Sequence, residues 1–455
     1  MARVNIDFDH TIQSSLTRRA ALTALLAGTV LPACTTITSL TTPTNHSNYQ
    51  GPDYAAFRPQ QLHQDLQTYD GFGVHRSGSI ADVLTADWMT DHFCSQGYDV
   101  RQQAFPVANN DSLNAQLLIG EARVDLLSQP PFKSATQNEV TGALIYAGPA
   151  GLVGDASGKI ILADAPYGRP SSYESKEFRA LADLALKANA KALLIISNGP
   201  TSQAATLNIN LHRKYPLTAL VAPDNADQFR QAALRGRTAK LLTPVSLAER
   251  TARNVIGTLT RGPRTIIVST PTSGWTHCAG ERGPGVAALR ALSSWLPQAF
   301  REHTIILSAQ SGHEIGHLGA KAFLASGAPP PEQVDLWVHL GAGWAARDWH
   351  ETTIGLFPLD TADPQRFMLA SPSALPSVAK AFSGLSGLEH VYPLTPKTAA
   401  GELKTINQAG YKNLFGMFAS HRFHHIMADR MNCVSGDLLY APLNALCKAM
   451  LGAIG

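Results

Sequence analysis

Thr304-Ile305-Ile306-Leu307-Ser308-Ala309-Gln310-Ser311-Gly312-His313-Glu314-Ile315-Gly316-His317-Leu318-Gly319 is the stretch on which the fold turns. Two readings compete for it. His313, Glu314 and His317 stand in H-E-x-x-H order, which binds zinc when one continuous helix puts both histidines on one face with the glutamate as base. The surrounding pattern argues against that helix. Thr304–Ala309 is apolar and rich in β-branched residues, as a buried strand is. Only Gln310-Ser311-Gly312 separate it from His313, and Gly316 inside the motif costs a helix about 1 kcal/mol. The expectation is a strand, then a loop carrying the two histidines and the glutamate, then a helix over Gly319–Ser326. A hybrid stays open, in which His313 or His317 binds a metal from such a loop.

Working outward, Asn254–Leu259, Thr265–Thr270 and Leu336–Leu340 read as further strands and Pro284–Leu296 as a helix. Strands alternating with helices predict an α/β fold with a mainly parallel sheet sandwiched by helices. Sites in such sheets lie beyond the carboxyl ends of the strands, here the loops Pro271–Gly285, Gln310–Leu318 and Gly341–His350. Upstream, Arg58–Tyr69 and Ser79–Gly97 read as helices, with Ser79 as N-cap and Gly97 as stop, and Tyr98–Val107 as a strand. Between 121 and 244 the texture changes. Ala143–Tyr146, Lys159–Ala163 and Ala192–Ser197 are short β-type runs, and Lys176–Ala190 is helical in pattern. A smaller α/β insert over 121–244 would thus divide the main domain into 56–120 and 245–455.

The chain has 455 residues, 44% of them hydrophobic and 16% charged, a globular composition. A net charge of +3 with no basic stripe gives no case for nucleic acid. At the N-terminus, Arg18-Arg19 follow Ser14, Ser15 and Thr17 and precede the apolar run Ala20–Leu31, which is too short to span a bilayer. That is the layout of a twin-arginine signal peptide over 1–34. Leu31-Pro32-Ala33-Cys34 resembles a lipoprotein cleavage box with Cys34 as the lipid-bearing residue; the alternative is a plain signal peptide cut near Ala33. The Ser/Thr/Pro-rich residues 35–55 read as a flexible tether. The expectation is an exported protein, periplasmic or anchored to a membrane by lipid alone. Cys94, Cys278, Cys433 and Cys447 remain, with three conceivable disulfide pairings and no C-x-x-C spacing.

The strand-end loops are rich in metal-ligating side chains. The first carries Trp275, His277, Glu281 and Arg282; the second carries His313, Glu314 and His317. Phe423-His424-His425-Ile426-Met427-Ala428-Asp429 follows near the C-terminus. Carboxylates and imidazoles meeting at strand ends supply the ligand types of zinc. Glu281 beside Arg282 also fits a simple surface ion pair. Trp344 and Arg347, after Leu336–Leu340, fit a substrate pocket in which Arg347 receives a carboxylate, or a packed cap over the sheet. Trp275 and Glu402 divide in the same way between substrate pocket and core.

Together these segments resemble metallopeptidase family twenty-eight. The resemblance lies in Asn254-Val255-Ile256-Gly257-Thr258-Leu259, in Gly285-Val286-Ala287-Ala288-Leu289 opening a helix, and in Gly312-x-Glu314-x-Gly316-x-x-Gly319. That family holds zinc aminopeptidases, single-zinc glutaminyl cyclases and the non-catalytic transferrin receptor ectodomain. Ser157–Pro166 and Asn189–Asn198, around an alanine-rich helix, resemble the protease-associated domain often inserted in it. Carried over, the resemblance places the bridging carboxylate at Glu281, the general base at His313, a zinc ligand at Glu314 and the last histidine ligand at His425. Pro271 and Ser273 stand where the family has a histidine ligand and its H-x-D partner, and no aspartate stands near His339–Gly341. The resemblance therefore implies one zinc ion on Glu281, Glu314 and His425, with His317, His339, His277 and His424 as alternates. It implies hydrolysis of a peptide or other amide substrate. Cyclisation or a lyase step on the same scaffold, and a non-catalytic ligand-binding lipoprotein, are its rivals.

Overall fold

The run Thr304–Ala309 is indeed a strand, Thr304–Gln310, inside an eight-stranded mixed sheet. The structure is a computed structural model, and it describes residues 55–109, 112–131, 139–149, 151–243 and 248–454. The expected signal peptide, Cys34 and the tether before residue 55 lie outside the described residues. Asp53–Gly455 form one compact unit.

Four strands, Thr304–Gln310, Thr265–Pro271, Val334–Leu340 and Leu414–Ala419, run parallel at the centre of the sheet. Every residue of Thr265–Pro271 and Leu414–Ala419 is buried, as strands covered on both faces must be. Antiparallel strands Ala248–Leu259 and Arg366–Ala370 flank the four. The period-2 alternation divides the strand residues between two cores. Ile266, Val268, Ile305, Leu307, Leu336 and Val338 pack with helices Pro59–Gly71, Gly283–Ala299 and Gly436–Ile454. Ile267, Ile306 and Trp337 pack with Phe323 of helix Leu318–Ser326 and with Leu403 and Ile406 of helix Gly401–Gln408. The predicted three-layer arrangement is the observed one, with the carboxyl ends of the four parallel strands on one rim.

A second sheet holds the strands from Asn114 to Leu242. Its order closes on itself, because Glu139–Gly148 pairs both with Ile160–Asp164 and with Thr238–Leu242. Closure leaves no open edge on those strands. Helices Lys176–Lys187 and Ala226–Leu234 pack on it. The expected start at 121 is too late. Glu121 lies in the hairpin turn joining Asn114–Ile119 to Ala122–Gln129, so a turn had been read as a boundary. The chain enters and leaves this unit along one antiparallel ladder, Asp99–Asn109 against Ala248–Leu259, which keeps both crossings side by side.

The third expected loop is shorter than 341–350. Arg347–Thr352 pairs with Gly355–Ala362 as a separate two-stranded hairpin. Cys94, Cys278, Cys433 and Cys447 are all free thiols. Among the described residues no helix is long and apolar enough to cross a membrane.

Candidate metal centre

Three strand-end loops build the site. After Thr265–Pro271 the chain runs through residues 272–282 into helix Gly283–Ala299. The Asp429 carboxylate fixes the end of this loop, accepting from Gly280 N at 2.7 Å and from Glu281 N at 3.0 Å. A Cβ on Gly280 would stand 2.7 Å from Asp429 Oδ1, so only glycine permits the approach. After Thr304–Gln310 comes a single 3-10 turn, His313–Ile315, bounded by left-handed Gly312 and Gly316. The H-E-x-x-H segment is therefore no helix. His317 is itself left-handed, at φ 59°, as is His425 in the loop after Leu414–Ala419, at φ 62°. Such conformations cost a non-glycine residue about 1–3 kcal/mol and cluster at functional positions.

The residues assigned by resemblance do converge, with a fourth group among them. Arg282, 1% exposed, places Nη2 at 2.7 Å from Glu281 Oε1 and 2.9 Å from Glu314 Oε1. Its Nε donates to the Ser273 carbonyl at 2.8 Å, and Ser273 Oγ donates to Glu314 Oε2 at 2.7 Å. His425 Nε2 stands 3.2 Å from Glu281 Oε1, and the ring of His424 stacks on that of His425 at 4.0 Å. Burial works against the charges here and is outweighed on both sides. Arg282, His425 and His424 pull Glu281 well below the carboxylate range, while Glu281 and Glu314 hold Arg282 above its ordinary value. Burial also pushes His424 far down, so its ring is neutral. Glu281, His424 and His425 offer ligand atoms within 4.8 Å of one another. Glu314, expected as a ligand with Glu281 and His425, is not in that group and is turned to Arg282 and Ser273.

A second convergence lies beside the first. His313, His317 and Glu402 also bring one ligand atom each within 4.8 Å. Glu402 sits in the first turn of helix Gly401–Gln408 and is buried. Its Oε1 meets His313 Nδ1 at 2.5 Å and its Oε2 meets His339 Nε2 at 3.2 Å. Ser269 Oγ holds the other ring nitrogen of His339 at 3.0 Å. Burial would raise Glu402, but His313 and His317 hold it well below the usual range, so it is ionised. Burial pushes His317 down to about 4, leaving a neutral ring at pH 7. An ionised carboxylate and a neutral imidazole are the forms that bind a metal. The His313 side chain is 12% exposed, so this cluster opens to solvent where the Arg282 cluster does not.

The remaining candidates stand elsewhere. His277 faces Asp70, 3.5 Å from its carboxylate, outside both clusters. Trp344 is core. Arg347 is tied within its own hairpin to the Leu359 carbonyl and to Asp360, at 2.6 and 3.0 Å. Trp275 is buried and donates to Asn208 Oδ1 at 2.9 Å. Around Asn208 the second sheet's unit braces the site. Thr206 N donates to the His425 carbonyl at 3.2 Å, His425 Nδ1 lies 2.6 Å from the Thr206 carbonyl, and Ile209 N donates to the Glu314 carbonyl at 2.8 Å. Sequence reasoning missed the central place of Arg282 and Ser273. The available signal was a basic residue directly after the carboxylate of a strand-end loop. A cleft of about 510 Å³ lies nearby, between Tyr167, residues 199–203 and the Arg347–Ala362 hairpin, with Phe423 on its wall.

This is the fold of the zinc aminopeptidases of metallopeptidase family twenty-eight. A zinc aminopeptidase from Bacillus subtilis superposes with a TM-score of 0.66 at 17% identity, over 87% of this chain and 94% of that one. An aminopeptidase from Aneurinibacillus gives 0.62 at 17% identity, over 87% and 93%. The precursor of a family-twenty-eight peptidase from Shewanella amazonensis gives 0.63 at 16%, over 87% and 96%. No family model and no curated protein matches the sequence.

Proposed function

We propose that this chain is an exported, metal-dependent amide hydrolase, peptidase-like in its chemistry, with one zinc ion held by His313, His317 and Glu402. The observation that carries the reading is the convergence of these three side chains at a partly exposed opening on the rim of the parallel strands. Three protein ligands with one open side are the pattern of a catalytic zinc rather than a structural one. When bound, zinc polarises an amide carbonyl and acidifies water. The chain's own residues prepare that place. Glu402 supplies the negative charge and orients His313, while His339, fixed by Ser269, holds the second oxygen of Glu402 from behind. Partners of this kind set ligand orientation in metal sites. The substrate is a peptide or an amino-acid derivative. The second sheet's unit is a protease-associated domain that walls the cleft, and Cys34 carries the lipid that anchors the exported chain.

A second reading, a non-catalytic binding protein, is favoured by one observation: Arg282 occupies the centre of the Glu281–Glu314 pocket. Zinc content and peptide hydrolysis measured together separate the readings. The wild type should hold one ion per chain and cleave amide bonds with incorporation of water. Ring closure or elimination would identify another reaction on the scaffold. His313→Gln should lose most of the ion and at least 100-fold in kcat/KM, in line with loss of a ligand's role. Full metal content with lost activity would instead make His313 the base. A wild type free of metal in zinc-replete buffer would leave only the binding reading.

A further inference from the structure

Glu281, Glu314 and His425 reach one place from the loops after three different strands, and none is more than 2% exposed. A single guanidinium nitrogen serves both carboxylates there, at 2.7 and 2.9 Å. Its Nε is held by the Ser273 carbonyl at 2.8 Å, so the group is gripped at its root as well as its tip. We propose that Arg282 is a permanent stand-in for a divalent cation in this pocket, which has both carboxylates paired without metal and accepts an ion only when Arg282 is removed.

Three physical points support this. An ion bonded to both carboxylates would need oxygens at about 2 Å, in the space that Nη2 fills. In a buried, weakly polarisable pocket, a divalent ion beside a guanidinium would be strongly repelled. Finally, the two carboxylates and the carbonyl are served from two nitrogens of one rigid fork, Nη2 and Nε, whereas a lysine has a single nitrogen. The inference goes beyond the hydrolase reading and does not depend on it, because the His313 cluster is a separate set of side chains.

The test is zinc content per chain, by elemental analysis after dialysis into zinc, for the full-length wild type, Arg282→Asn and Arg282→Asn/Glu314→Gln. Arg282→Asn should hold one ion more than the wild type, and the double variant should lose it again. A folded Arg282→Asn with unchanged content overturns the proposal. For the case in which that variant does not fold, nitrogen-labelled histidine spectra of the wild type give an independent answer. Zinc should leave the ring signals of His425 where they are, and a shift of those signals on titration overturns the proposal. A metal-free wild type whose Arg282→Asn variant binds one ion would sink the His313 zinc site and leave this inference standing.

Discussion

His317 shows most directly what one residue contributes. Its φ of 59° points the imidazole back toward His313, with ring centroids 5.0 Å apart, at a conformational cost that glycine would not bear. His317→Gly should therefore raise stability by about 1 kcal/mol in metal-free protein while weakening zinc retention at least 10-fold. Thermal unfolding and competition with a zinc indicator would check both halves. A variant less stable than wild type without metal would show that the left-handed backbone is not strained. The same residue marks where the sequence was legible. Letter order named His313, Glu314 and His317 as a group, and Gly316 argued correctly against a helix. Which side chain turns to which neighbour was not readable. Glu314 faces Arg282 because Ser273, forty-one positions away in sequence, orients its second oxygen. No local pattern encodes a meeting of that kind.

At the scale of elements, helix Ile80–Ser95 reaches the site through its N-terminus. Asp82 accepts from Gly78 N at 2.7 Å and from Ser311 Oγ at 2.8 Å. Burial pushes its carboxyl up to about 7, against the bond from Gly78. The folded chain thus keeps a proton that the unfolded chain releases near its ordinary value of 3.8. The contribution of Asp82 to stability is therefore full below 3.8, falls as pH rises from there, and is gone above about 7. Asp82→Asn carries no such charge and should gain on the wild type by roughly 2–3 kcal/mol between pH 5 and pH 8. Denaturant unfolding at the two pH values would detect it, and equal differences at both would contradict the shift. The elements themselves were readable because burial here is regular. The continuous apolar, β-branched pattern located Thr304–Gln310 and Thr265–Pro271 to within a residue or two. It failed at Asn114–Ile119, where Gly120-Glu121 is a hairpin turn inside the second sheet, and at Arg347–Thr352, a hairpin read as loop.

Over the whole molecule, buried histidines set the response to acid. Burial pushes His75 down to about 3, and His92 and His317 down to about 4, from 6.5. Each folded value lies below the unfolded one, so the unfolded chain binds protons first as pH falls. Their contribution is complete above 6.5 and lost progressively toward pH 4, at up to about 1.4 kcal/mol per pH unit each. His424, which burial pushes lower still, is a fourth, and Asp82 offsets one of the four. Metal-free protein should then lose roughly 4 kcal/mol per pH unit between pH 6 and 5. A stability that is flat across that interval by urea titration would refute the burial of these rings.

Thr206 and Ile209 have a mechanical consequence for the molecule as well. Through them one short segment grips the His425 loop and the Glu314 loop at once, by backbone N–H groups that only a proline substitution would remove. A clamshell in which the closed β-barrel swings away from the main sheet would have to unlatch both loops. The barrel is a clasp, holding the two loops in register from the side of the site that faces Thr206 and Ile209.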